Sequence, residues 1–137
     1  MKVLFLELDT DSTWAVAALG PAFLAAYLRR HGHEAAFLRV PVDRTVAEIA
    51  DDVRQAEPGL IGVSLTTRQW LRARDVLGAL RRVSNIPVIA GGLHPTFSPD
   101  DVLRHEGIDY VCMGEGEEAL LELVEALEAG IPADDGH

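Results

Sequence analysis

The sequence predicts an α/β domain built around a doubly wound parallel β-sheet of five strands. Two observations lead to this fold class. Five short apolar runs alternate with five amphipathic helical patterns, and each run is almost continuously apolar. Strands buried on both faces of a parallel sheet have this character, and regular alternation is typical of repeated strand–helix–strand crossovers. A chain of 137 residues has the length of one such domain.

The predicted strands follow one another along the chain with one helical pattern between each pair. They are Val3–Leu8, Ala35–Val40, Leu60–Leu65, Pro87–Ala90 and Asp109–Met113. We expect them to pair in the flavodoxin-like (Rossmann-like) order 2-1-3-4-5.

The first three helices are placed by signals at their ends. The first covers Gly20–His31, with a proline in its first turn. The second begins at Thr45, where Thr45-Val46-Ala47-Glu48 is a capping box, and ends before Pro58. The third covers Gln69–Val83.

The last two helices are placed in the same way. The fourth opens at Ser98-Pro99-Asp100-Asp101, with serine as N-cap and acids near the positive end of the helix dipole. The fifth covers Glu117–Ala129 and ends at Gly130. The residues predicted to face the core are Phe23, Leu24, Tyr27 and Leu28 in the first helix, Trp70, Ala73, Leu77 and Leu80 in the third, and Leu120, Leu121, Val124 and Leu127 in the fifth.

Composition excludes several classes of protein. The chain has 22 acidic and 12 basic residues, a net charge of −10, and we expect no nucleic-acid partner because basic contacts to phosphate dominate that affinity. We expect no membrane span and no secretory signal. A single cysteine, Cys112, excludes an internal disulfide and indicates a reducing, cytoplasmic location. Residues 1–130 are predicted to form the domain and residues 131–137 a linker or disordered tail.

Ligands of doubly wound sheets bind outside the carboxyl ends of the strands. The loop after the fourth strand reads Gly91-Gly92-Leu93-His94-Pro95-Thr96-Phe97. Two glycines at a strand end allow a backbone to approach a ligand closely. The alternative is a tight turn without function, but turns alone rarely combine Gly-Gly with His and Pro.

The loop after the fifth strand reads Gly114-Glu115-Gly116-Glu117. Its glycines again permit close approach, while two carboxylates beside a helix start repel free phosphate. The acids alone could serve the helix dipole, which would explain Glu117 but not the glycines.

Two further strand ends carry polar residues. After the third strand, Ser64-Leu65-Thr66-Thr67 offers hydroxyls that could bind a ligand or cap the next helix, and both interpretations stay open. After the first strand, Asp9 and Asp11 could hold Mg²⁺ as in a phosphate-receiver domain. That interpretation is weak, because Ser64 stands where the phosphorylated Asp is needed and the only lysine is Lys2. No Gly-x-Gly-x-x-Gly follows the first strand, so dinucleotide binding is not predicted.

Three stretches together resemble the cobalamin (vitamin B12)-binding domain of B12-dependent radical S-adenosylmethionine enzymes. They are Leu19–Leu28 with Gly32-His33-Glu34, Gly91–Pro99 and Gly107–Glu117. That family includes methyltransferases and the anaerobic magnesium-protoporphyrin monomethyl ester cyclase. The resemblance covers nearly the whole chain, and the pairing of Gly-Gly-x-His-Pro-Thr with Gly-Glu-Gly-Glu at this separation is fairly specific.

The resemblance implies that the corrin ring lies over the strand-end loops and that the nucleotide tail enters a groove between sheet and helices. The [4Fe–4S] cluster and S-adenosylmethionine would belong to a radical S-adenosylmethionine domain in the same or another chain, so this chain would not be catalytic alone. The implied cofactor-binding residues are Asp9, Thr10, Trp14, Ser64, Leu65, Thr66, Gly91, Gly92, His94, Pro95, Thr96, Gly114, Glu115 and Gly116.

The sequence departs from better-known B12-binding modules in its first loop. Those modules carry Asp-x-His-x-x-Gly, whose histidine ligates cobalt from below, whereas this chain has Asp9-Thr10-Asp11-Ser12-Thr13-Trp14. We therefore expect no lower histidine ligand from this loop. His94 is the alternative cobalt ligand, although a loop histidine is more often a hydrogen-bonding residue at the rim.

Two other functions are compatible with the residues. One is a cofactor-free regulatory or partner-docking domain of the same fold, whose acidic surface binds a partner. The other is a small enzyme that uses His94 with Glu115 or Glu117 as an acid–base pair, which lacks an accompanying nucleophile or metal-ligand set.

Overall fold

The five predicted strands form one parallel sheet in the order β2-β1-β3-β4-β5, which confirms the predicted fold class. The computed structural model describes residues 1–9, 19–92, 99–112 and 116–130. The strands are β1 Lys2–Leu8, β2 Glu34–Val40, β3 Leu60–Ser64, β4 Val88–Gly91 and β5 Tyr110–Val111.

The fifth strand is shorter than its apolar run predicts. The Asp109 carboxylate accepts a hydrogen bond from the Val88 backbone N–H (2.8 Å) and pairs with Arg81, so this residue closes the amino end of the strand. On the other side, the Cys112 N–H still donates to the Ala90 carbonyl oxygen (2.8 Å). The alignment of β5 with β4 therefore extends through Cys112.

Five helices alternate with the strands in the described part of the chain. They are α1 Leu19–Arg30, α2 Val46–Ala56, α3 Thr67–Arg81, α4 Pro99–Leu103 and α5 Glu117–Ala129. The capping box at Thr45 is confirmed, and Gly130 ends α5 in the left-handed conformation. Ser98, the predicted N-cap of α4, lies outside the described residues. Within the described segments, no helix has both the length and the apolar character needed to cross a bilayer.

The predicted core residues of α3 are all buried, whereas those of α1 and α5 need correction. Phe23 is 68% exposed, and Ala25 is fully buried beside Leu28. In α5, Leu123 is buried and Leu121 is only half-buried. Amphipathic spacing identifies the apolar side of a helix, but a helix that covers only part of a sheet face leaves some of that side uncovered.

Successive residues of each strand point to opposite faces of the sheet. One face packs against α2, α3 and α4; we call it the filled face, and its core includes Leu4, Leu6, Ile61, Val63 and Ala90. The other face packs against α1 and α5; we call it the open face, and its core includes Val3, Phe5, Leu60, Ile89 and Cys112.

Candidate functional site

A groove of about 270 Å³ lies on the open face, between the sheet and the helices α1 and α5. Its floor has two rows of residues given by the strand register. The inner row is Phe5, Gly62 and Ile89, which are neighbours across β1, β3 and β4. The outer row lies one side-chain repeat closer to the carboxyl ends and contains the paired residues Ser64 and Gly91. The groove therefore runs toward the edge of the sheet where this fold class binds ligands.

The walls of the groove come from the first two turns of α1 and α5. Helix α1 contributes Pro21, Phe23 and Leu24, and α5 contributes Glu117 and Leu120. The exposed Phe23 side chain is thus part of a groove wall rather than of the closed core. Apolar side chains and glycines make up most of the lining, as expected for a site that takes an aromatic or aliphatic group.

Three glycines around the groove stand where the protein itself leaves no space for a side chain. A Cβ atom at Gly62 would lie 2.9 Å from the Phe5 ring, and one at Gly116 would lie 2.9 Å from Cys112 Sγ. Gly92 has φ +100°, and a Cβ there would lie 2.8 Å from the Leu65 backbone nitrogen. These three glycines are needed for close packing and, at Gly92, for backbone conformation.

Gly91 differs from the other groove glycines. A Cβ at this position would meet only the Cys112 Cβ and carbonyl oxygen, both at 3.8 Å, which is ordinary van der Waals contact. A Cβ at Gly91 would therefore fit against the protein, at a residue that lines the groove. We expect this position to allow the groove to be filled with little effect on the fold.

Two ordinary polar side chains, Ser64 and Glu117, are among the described residues that line the groove, together with the Cys112 thiol. The Ser64 hydroxyl lines the groove and makes no hydrogen bond to another residue that the structure describes. Burial raises the pKa of the Cys112 thiol, and the nearby Glu117 carboxylate raises it further. The thiol is therefore neutral at pH 7, and the groove contains one carboxylate and no basic group within the described lining.

The structure brings four of the predicted site residues together. Ser64, Gly91, Gly92 and Gly116 all line the groove. They come from the ends of β3 and β4 and from the start of α5. This convergence is what the strand-end argument predicts for ligand-binding residues of a parallel sheet.

Three other predicted residues are engaged elsewhere. The Leu65 side chain is buried in the filled face, opposite the groove, and its backbone N–H donates to the Gly91 carbonyl oxygen at 2.8 Å. The Thr66 hydroxyl accepts from the Gln69 N–H and caps α3, which is one of the two interpretations of this residue, while its role in ligand binding stays a prediction. The Asp9 carboxylate pairs with Arg39 on the neighbouring strand β2, at 3.1 Å from its Nε.

The remaining predicted site residues lie outside the described residues, and their role stays a prediction. They are Thr10, Trp14, His94, Pro95, Thr96, Gly114 and Glu115. The same applies to residues 131–137, predicted to be a linker or tail.

Several groove residues were not predicted from the sequence. Phe5, Ile89 and Leu120 were interpreted only as apolar core, since periodicity does not distinguish a core residue from a groove wall. Gly62 gave a usable signal: a glycine between bulky residues in a buried strand often marks close approach of another group. Glu117, for which the sequence suggests a helix-dipole role or an acid–base role with His94, lines the groove.

The histidines that the structure describes lie away from the groove. His31 stacks on Tyr27, His33 lies 3.3 Å from the Met1 amine, and the His105 ring packs against Trp70. Within the described ranges, no three His, Cys, Asp or Glu side chains are close enough together to hold a metal ion.

Together, the strand order and the groove define a flavodoxin-like α/β domain with a ligand site at the carboxyl edge of its sheet. The sequence profile of the B12 binding domain matches residues 14–124. The chain belongs to the B12-binding domain family, and cobalamin is the cofactor that this family name specifies. The resemblance found in the sequence is thereby confirmed.

Relatives and solved structures agree with this assignment. The chain is 33% identical over 138 residues to an uncharacterized methyltransferase of Pyrococcus horikoshii, covering 95% of this chain and 30% of that protein. It is 30% identical over 142 residues to the anaerobic magnesium-protoporphyrin IX monomethyl ester cyclase of Rubrivivax gelatinosus, covering 95% and 25%. The fold matches the radical S-adenosylmethionine methyltransferase TsrM of Kitasatospora setae, solved with cobalamin and a [4Fe–4S] cluster, with a TM-score of 0.82, 23% identity, and coverage of 97% and 26%. The chain thus spans less than a third of the length of each of these proteins.

The groove fits one part of cobalamin. An apolar cavity of about 150 Å³ is enough to bind benzene, so a groove of about 270 Å³ has room for a larger aromatic ring system. It is too small for the corrin macrocycle, which would have to lie outside it at the carboxyl edge. The glycines of the floor and the Ser64 hydroxyl, which has no hydrogen-bond partner among the described residues, suit an aromatic base attached to a hydroxyl-bearing sugar.

Proposed function

We propose that this chain is a cobalamin carrier domain whose groove on the open face receives the nucleotide tail of the cofactor. The observation that carries the proposal is the placement of this glycine-floored apolar groove at the carboxyl edge of the sheet in a B12-binding family member. Ser64 would donate to or accept from the tail, while Gly91 leaves room for it on the floor of the groove. Bound cobalamin supplies a cobalt centre that can carry a methyl group.

We further propose that the lower face of cobalt has no histidine ligand from this chain. The first loop, Asp9–Trp14, contains no histidine, and the described histidines lie away from the groove. With its base in the groove, the nucleotide tail would not bind cobalt, and the lower face of cobalt would have no ligand from the tail or from this chain. His94 is the residue whose participation would overturn this part of the proposal.

The catalytic partner of the carrier is proposed to be a radical S-adenosylmethionine domain, in the same polypeptide or in another chain. Support comes from the relatives, which are methyltransferase and cyclase proteins more than three times as long as the matched segment. That domain would bind the [4Fe–4S] cluster and S-adenosylmethionine and meet the upper face of cobalt. The single free cysteine, Cys112, is consistent with the proposed cytoplasmic location.

The proposal is tested by adding hydroxocobalamin to the purified chain, removing free cofactor on a desalting column and recording the visible spectrum. We expect cobalamin to co-elute with a base-off spectrum. A histidine-ligated spectrum that reverts in His94→Ala would contradict the absent lower ligand but keep the carrier function. No retained colour and no cobalamin-dependent rise in melting temperature would contradict the carrier function and favour the cofactor-free docking domain.

A further inference from the structure

Among the described lining residues, the polar side chains are confined to the outer part of the groove. Ser64 lies in the outer row of the floor, and Glu117 is the first residue of α5, whose amino end lies at the carboxyl edge of the sheet. The inner row of Phe5, Gly62 and Ile89 carries no polar side chain.

The walls beside the inner row are apolar too. Leu24 of α1 and Leu120 of α5 lie one turn further into their helices than the first-turn residues Pro21 and Glu117. Backbone groups of the inner row are paired between strands β1, β3 and β4. The inner part of the groove therefore has few partners to offer to a ligand that carries polar atoms.

We propose that this apolar inner part makes the domain selective for the base of the nucleotide tail, favouring a benzimidazole over a purine. The inference rests on the proposed function, because it requires the tail to occupy the groove. Cobalamin carries dimethylbenzimidazole, whose two methyl groups and benzene ring gain from burial against Ile89, Leu24 and Leu120. Adenine carries an exocyclic amine and additional ring nitrogens, which would lose their hydrogen bonds to water there.

The expected selectivity follows from the cost of burying an unpaired polar group. Each such group lowers affinity by about tenfold or more. The adenine-containing analogue of cobalamin should therefore bind at least about tenfold more weakly than cobalamin. The Glu117 carboxylate also restricts which part of the tail can lie in the outer part of the groove. It repels the tail phosphate and favours a hydroxyl or amide donor.

The test compares three ligands by equilibrium titration: cobalamin, its adenine-containing analogue, and cobinamide, which has no nucleotide. All three are used in the dicyano form, so that cyanide occupies both axial positions and cobalt–base bonding does not differ among them. We expect cobalamin to bind at least about tenfold more tightly than either of the other two. Equal affinity of cobalamin and its adenine analogue would overturn the selectivity. Equal affinity of cobalamin and cobinamide would overturn occupation of the groove by the base, while leaving cobalamin binding intact. Failure of all three to bind would contradict the proposed function itself.

A variant tests whether the inner wall sets this preference. Leu24→Gln places an amide at the half-buried groove wall of α1, where it can pair with purine nitrogens, and should reduce the ratio of the two affinities. Leu121→Gln makes the same change at a half-buried leucine of α5 that does not line the groove. An unchanged ratio in a folded Leu24→Gln protein, or an equal reduction in Leu121→Gln, would overturn the assignment.

Discussion

The two faces of the sheet are built from the same strands but bury different numbers of apolar residues. Among the described residues, the filled face holds a cluster of 20 buried apolar residues, whereas the open face holds 10. The open face has glycine at positions 62 and 91, where the filled face has Val63 and Ala90 as neighbours in the same strands. Small residues on the open face therefore contribute to the groove, together with the spacing of α1 and α5, which form its walls.

The helices on the two faces also differ in how their amino ends are capped. Helices α2 and α3 on the filled face begin with complete capping boxes, Thr45 with Glu48 and Thr66 with Gln69. Helix α5 on the open face begins at Gly116 without a side-chain cap, because a side chain there would meet Cys112 Sγ. Helix α5 therefore lacks the stabilisation of a side-chain cap at the end of the groove that lies at the carboxyl edge.

The largest expected effect is the difference in stability between a Leu→Ala substitution on the filled face and one on the open face. Leu77→Ala on the filled face removes a side chain that is 1% exposed and should lower the free energy of unfolding by about 3 kcal/mol. Leu24→Ala on the open face removes a side chain that already borders empty space and should cost less than about 1 kcal/mol. Urea unfolding of both variants measures the difference, and equal losses would show that the open face is packed as tightly as the filled face.

The second prediction uses the only cysteine as a reporter of the open face. Cys112 lines the groove and is 8% exposed, so cobalamin at about ten times its Kd should slow thiol modification by Ellman's reagent about tenfold. Burial and the nearby Glu117 carboxylate raise the thiol pKa. The pH at which the modification rate reaches half its maximum should therefore be higher in the folded protein than in urea. Unchanged modification in the presence of a ligand shown to bind would place the cofactor outside the groove.

The smallest expected effect concerns the two capping boxes. Thr45→Ala and Thr66→Ala should each cost about 1 kcal/mol of stability at pH 7. Hydrogen bonds from Thr45 lower the pKa of Glu48, so the stabilisation is present above the carboxyl's unfolded pKa and is lost as pH falls through its folded pKa. The cost of Thr45→Ala should therefore shrink in acid while that of Thr66→Ala, whose partner is Gln69, stays constant. Parallel pH profiles would contradict a role for the Glu48 charge.

Fold and strand order could be predicted from the sequence because the apolar runs and helix caps are local signals. The buried stripe of α3 was predicted correctly for the same reason. The side-chain direction of Leu65 could also be predicted from the sequence. Leu65 follows Ser64, and the alternation of side chains along a strand places the two on opposite faces. Ser64, Gly91, Gly92 and Gly116 follow from the rule that parallel sheets bind ligands at their carboxyl edge.

The walls of the groove could not be predicted in this way. Phe23 was expected in the core and is mostly exposed, because periodicity does not show how far two helices stand apart over a sheet. Similarly, Cys112 and Ile89 have the same apolar character whether they contact a helix or border a cavity. Whether a given apolar residue closes the core or lines a site depends on the tertiary spacing of α1 and α5.

Binding of the cofactor in the groove of the open face is tested most directly by substitutions at two neighbouring residues of β4. Gly91→Val adds three carbon atoms in the groove at a position where a Cβ meets only ordinary contacts, whereas Ala90→Val adds two carbon atoms at a fully buried residue of the filled face. Titration with cobalamin and urea unfolding are measured on both variants. We predict that Gly91→Val weakens binding at least about tenfold with little loss of stability, and that Ala90→Val costs about 1–3 kcal/mol of stability with little change in Kd. Unchanged cobalamin affinity in a folded Gly91→Val protein would contradict the account.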